Sequence, residues 1–80
     1  MKHFKKANES AMRKWLRDLE QACRKKNVKA VRELVTLEEN QRRVGLWDWG
    51  QPCFDKETVE EKDDLLHRAF LLSQAAVHTP

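Results

Sequence analysis

Cys53, one of two cysteines in this 80-residue chain, is the candidate nucleophile, and it has little to work with. A cysteine attacks as its thiolate, so it needs a base within hydrogen-bond reach and donors for the developing oxyanion. Asp48 and Asp55 are its near neighbours in sequence, while the histidines stand apart at His3, His67 and His78. No local pattern supplies an oxyanion hole, and Cys53 reads as a half-buried structural residue. The chain has no Gly-rich phosphate loop and no carboxylate pair at metal spacing, and its two cysteines form no C-x-x-C. Residue chemistry thus points away from an enzyme, and it calls for no cofactor and no metal.

Charge is a better lead. Residues 1–26 carry nine Lys/Arg against three Asp/Glu, residues 27–54 four of each, and residues 55–80 three against six. The overall +3 therefore hides a charge dipole along the chain. Lys6, Arg13, Arg17 and Arg24 recur at helical spacing as a basic stripe interrupted by Glu9 and Glu20. Such a stripe suits phosphate or an acidic protein surface. A helix-turn-helix reading would present Arg32, Thr36, Asn40 and Arg43 from the second helix. Glu33 and Glu39 would then face phosphates unfavourably.

Glu38 is the oddest single residue. At about 100° per residue it falls in the middle of an apolar face, between Val31, Leu34 and Gln41. A buried carboxylate needs a partner or an edge. Arg42, four residues on, is one candidate, and an indole N–H from Trp15, Trp47 or Trp49 is another. Glu38 and Arg42 are thus read as a polar anchor, for the neighbouring loop or for a partner.

That loop is Gly45 to Phe54, Gly-Leu-Trp-Asp-Trp-Gly-Gln-Pro-Cys-Phe, which holds both glycines and two of the three tryptophans. Leu46, Trp47 and Phe54 are expected to plug the end of a core. Asp48 and Gly50 are good turn chemistry. A turn at Trp-Asp-Trp-Gly would separate the two indoles, leaving one buried and one accessible. Trp47, Trp49, Phe54 and Leu71 together form the candidate protein-binding patch, since Trp is enriched among interface hot spots.

The elements that must position these groups are helices. Residues 5–26 place Met12, Trp15, Leu16, Leu19, Ala22 and Cys23 on one face, with Asn8 or Ser10 as alternative N-caps and Asn27 as the stop. Residues 28–43 place Ala30, Val31, Leu34, Val35 and Leu37 on another, ended by Gly45. Residues 56–77 open at Asp55 or Thr58, where Thr58 to Glu61 fits a capping box. There Val59, Leu65, Leu66, Ala69, Phe70, Leu72, Ala76 and Val77 make a wide apolar face, with Leu71 off it. His78 to Pro80 read as a frayed tail. The acidic start of the third helix is expected to lie along the basic first helix and neutralise it.

The fold this predicts is all-α: a small three-helix bundle built as an αα-hairpin plus a third helix after the aromatic loop, in one domain, with a homodimer left open. Cys23 and Cys53 should lie at opposite ends of such a bundle and stay unlinked. The start of the chain lacks the apolar run of a signal peptide, and no stretch reaches the length of a membrane span, so a reducing, cytoplasmic setting is expected. The function expected is a non-enzymatic protein-binding module that acts as an adaptor, a chaperone-like protein or an inhibitor. The alternative is a small nucleic-acid-binding regulator using the basic face of the first helix.

Overall fold

The computed structural model describes residues 4–78, with side chains described to Ala76. It comprises α1 (Lys6–Arg24), α2 (Val28–Arg43) and α3 (Lys56–His78), and all three pairs of helices pack together. This is the three-helix bundle that the apolar periodicity predicts. His78 closes α3 rather than opening a tail, whereas His3, Thr79 and Pro80 lie outside the described residues.

Both ends of α2 are fixed by local chemistry. Asn27 serves as its N-cap, with the side-chain oxygen accepting from the Ala30 N–H at 3.2 Å. The stop signal read at Asn27 is thus the start of the next helix. The left-handed residue that ends α1 is Lys26, at φ 55°. The Lys26 N–H donates to the Cys23 carbonyl and the Asn27 N–H to the Ala22 carbonyl, the paired bonds of a Schellman ending. Gly45, at φ 82°, repeats the arrangement at the end of α2, where the Gly45 and Leu46 N–H groups reach the Arg42 and Gln41 carbonyls. Asp55 caps α3 by accepting from the Thr58 N–H at 2.8 Å, so the cap falls at the first of the two candidate positions.

The core is richest on α1, where all six residues of the predicted face are buried. α2 contributes Val31 and Glu38 as its buried residues, with Ala30, Leu34 and Val35 half-buried beside them. Leu37 is 44% exposed, because the inward stripe of α2 runs through 31, 34/35 and 38 and leaves position 37 on its flank.

On α3, Leu65 and Ala69 are buried, while Val59, Leu66 and Leu72 are half-buried against the core. Phe70, expected inside, is instead 57% exposed, the most of any large apolar residue among those described. Its neighbour Ala69 takes the inward position, in a stripe that continues through 62, 65/66 and 72/73. Ala76 is exposed too. A helix of 23 residues spans about 34 Å and one of 16 about 24 Å, so α3 outruns α2. The Arg32 guanidinium reaches the Ser73 carbonyl at 3.5 Å, which places Ser73 beside the second turn of α2. The Val77 side chain lies outside the described residues.

Candidate functional site

The segment between α2 and α3 folds back against α1. Its first turn spans Asp48–Gln51: the Asp48 carboxylate accepts from the Gly50 N–H at 2.8 Å and from the Gln51 amide at 2.9 Å. A second turn follows, with the Phe54 N–H donating to the Gln51 carbonyl and Pro52 at the position that favours its fixed φ. Because the first turn begins at Asp48, it does not separate the indoles. Trp47 and Trp49 are both buried, and Asp48 between them is exposed. The two tryptophans are 4% and 7% exposed, which corrects the expectation of one buried and one accessible ring.

These rings build one cluster. Trp15 of α1 meets Trp47 at 6.1 Å and Trp49 at 5.7 Å between centroids, and Trp49 meets Phe54 at 5.1 Å. Phe4 adds an edge-to-face contact with Phe54 at 6.1 Å. Such pairs contribute roughly 0.5–1.5 kcal/mol each beyond the area they bury. Leu46, expected in the plug, is 41% exposed, since the turn at Gly45 carries it past the end of the bundle.

Buried indoles require partners for their N–H groups. Trp15 donates to the Leu34 carbonyl at 2.7 Å, and Trp49 donates to the Glu38 carboxylate at 3.0 Å. Arg42 pairs with the same Glu38 oxygen at 3.1 Å. Glu38, 3% exposed, therefore holds one neutral and one cationic donor, both from the set named on sequence grounds. It ties the aromatic segment to α2. Lys62, which sequence reasoning passed over, lies along the inward stripe of α3 with its ammonium 5.7 Å from the Trp49 centroid. A lysine at a core spacing was the available signal; its stem packs while its head reaches Asp63 at 2.7 Å.

The basic stripe is divided. Arg13 leaves the outer surface: its guanidinium donates to the Cys53 carbonyl at 2.6 Å, pairs with Glu9 at 3.1 Å and lies 5.2 Å from the Phe54 centroid. The hydrogen bond from Arg13, helped by one from the Cys53 thiol, holds the Glu9 carboxyl below its ordinary range. Burial and the Glu9 carboxylate push the Cys53 thiol up, so it is poorly disposed to act as a thiolate. Arg24 pairs with Glu20 at 2.9 Å, while Lys6 and Arg17 are exposed. Among the described residues every ion pair joins residues four or fewer apart. The acidic start of α3 therefore does not neutralise α1 by direct pairing.

Of the four residues grouped as a binding patch, Trp47, Trp49 and Phe54 belong to the core, and Leu71 stands apart from them at 50% exposure. Cys23 and Cys53 are both free thiols, as expected from their separation. No group of three or more potential metal ligands converges among the described residues, and none of their helices is long and apolar enough to cross a membrane. Comparison with protein-family models, with curated proteins and with solved structures finds no match to this chain.

Proposed function

We propose that this protein is a non-enzymatic, protein-binding helical module: an adaptor, a chaperone-like protein or an inhibitor that acts on a larger partner in a reducing, cytoplasmic setting. The observation that carries the reading is the exposure of Phe70 and Leu71, 57% and 50%, on the C-terminal half of α3. Adjacent large apolar side chains left in water by a chain this small are suited to docking. The aromatic segment is consumed by the core, so the contact surface moves from the loop to α3.

A second reading, a small nucleic-acid-binding regulator, draws on Arg17, Lys25, Lys26 and Lys29, which are exposed on α1 and around the α1–α2 turn. Capture from native extract, with wild-type and Phe70→Ser baits and with or without nuclease, separates the two. A protein that survives nuclease and is lost with Phe70→Ser supports the first reading. Loss of all bound material on nuclease treatment moves the assignment to the second.

A further inference from the structure

Folding gathers at one end of the bundle cations that lie far apart in the chain. Residues 24–32 carry five of them, Arg24, Lys25, Lys26, Lys29 and Arg32, and no acid. All six Asp/Glu of residues 55–80 fall within 55–64, and from residue 65 onward the charged side chain is Arg68. α3 starts beside the aromatic segment and runs back towards the α1–α2 turn, where the Arg32 guanidinium reaches the Ser73 carbonyl at 3.5 Å. That turn and the C-terminal half of α3 therefore share one end of the molecule, and the end is basic. Lys25, Lys26, Lys29, Arg32 and Arg68 are exposed and enter none of the ion pairs among the described residues.

Phe70 and Leu71, 57% and 50% exposed, lie within this basic end. The positions one turn away from them on α3, 66–68 and 73–75, hold no acid. Ser73 is three residues from Phe70 and on the same flank of the helix, so Arg32, with Lys29 one turn before it, stands on the Phe70 side. Arg68 is three residues before Leu71, on the flank turned to α1, where it lines a groove with Arg24. The apolar pair thus has cations along both edges.

We infer that this face takes an acidic amphipathic helix of another protein. Its apolar side chains would cover Phe70 and Leu71, and its carboxylates would meet Lys29 and Arg32 along one edge and Arg68 along the other. An apolar strip edged by one sign of charge selects a helix edged by the opposite sign. Nucleic acid would meet the cations but leave Leu71 in water, and a single ring is no stacking platform. A lipid surface takes a helix by a broad apolar face, and that face of α3, with Leu65 and Ala69, is buried in the core. The inference rests on the protein-binding reading of α3 and supplies the chemistry of the partner.

The test is a titration of the isotope-labelled full chain with a synthetic helical peptide of Leu, Ala and Glu. Its Leu residues stand at i, i+3 and i+7, with Glu on both sides of that stripe. Saturable shifts are expected at the amides of residues 29–32 and 67–74, with a dissociation constant that rises with salt. Phe70→Ser should weaken peptide binding at least about tenfold. The double variant Lys29→Glu/Arg68→Glu should weaken it at least about tenfold as well. Both of its positions are exposed, and circular dichroism verifies that each variant folds. The same peptide with Lys in place of Glu should bind wild type at least about tenfold more weakly. Absence of saturation, or binding indifferent to the charge reversal, overturns the inference. So does tighter binding, through the same amides, of single-stranded RNA of equal charge or of phosphatidylserine vesicles, which would assign the face to nucleic acid or to membrane. Phe70-dependent capture from extract that persists while the peptide fails would keep the protein-binding reading and discard the acidic partner.

Discussion

The Trp49 indole nitrogen donates to the Glu38 carboxylate across 3.0 Å, and this one bond joins the connecting segment to the only buried charge among the described residues. A hydrogen bond to a charged group contributes about 1.5–3 kcal/mol. Trp49→Phe keeps an aromatic ring and removes the donor, so it should cost about that much in denaturant melts. In a double-mutant cycle with Glu38→Gln the two losses should not add, because each change removes the same bond. Additive losses would show the contact to be energetically idle.

Trp47 and Trp49 should behave alike when truncated. Each is buried against Trp15, so Trp47→Ala and Trp49→Ala should each lower stability by about 3–5 kcal/mol. Leu46→Ala, one residue away but exposed, should stay within about 0.5 kcal/mol of wild type. Melting temperatures of the three variants check this. A Trp47 variant that melts with wild type would return that ring to the surface.

Lys26 holds a left-handed conformation that costs an L-residue roughly 1–2 kcal/mol. Glycine adopts it without that penalty and is the usual residue at this position of a Schellman ending. Lys26→Gly should therefore stabilise the fold by up to about 1 kcal/mol, once glycine's greater freedom in the unfolded chain is set against the relief. That corresponds to a rise of about 4–8 °C per kcal/mol for a domain of this size. Lys26→Ala, which keeps the Cβ, should give no such gain.

Acid should loosen the aromatic end through two carboxyls. Arg13 and the Cys53 thiol lower the pKa of Glu9, and the hydroxyl and backbone N–H of Thr58 lower that of Asp55. A carboxyl with a depressed folded-state pKa binds protons more readily when unfolded. Its contribution is therefore present above the unfolded values, about 3.9 for Asp and 4.3 for Glu, and is lost as pH falls through the lower folded values. The melting temperature should fall from pH 5 to pH 2. Glu9→Gln and Asp55→Asn should each flatten that slope, and the asparagine should still cap α3 at neutral pH. Unchanged slopes in both variants would remove these carboxyls from the acid response.

Much of this was legible in the chain because it depends on local rules. Helical period placed every buried residue of α1, and the same arithmetic set Glu38 among apolar neighbours and named Arg42 and an indole as its partners. What escaped depends on tertiary placement. Asp48 and Gly50 signal a turn, but nothing local says whether it opens at Trp47 or at Asp48. Phe70 and Ala69 both fit a broad apolar arc on α3. Which of them faces inward is settled by how the shorter α2 lies against that helix. Arg13 looks like surface charge until the connecting segment folds over it and supplies the Cys53 carbonyl.

The gathering of the three indoles also decides what optical probes can see. All of them sit where the connecting segment crosses α1, and neither the α1–α2 turn nor the overhanging end of α3 carries a fluorophore of this kind. Emission then reports only the docking of that segment, whereas far-ultraviolet dichroism averages over every turn of helix. Fraying of α3 beyond Ser73 would pass unseen by fluorescence and would register in amide exchange as a gradient, fastest at the far end of α3 and slowest beneath the indoles. For this molecule, coincidence of the two optical signals is therefore an informative result, meaning that the tryptophan-free end and the aromatic end come apart together.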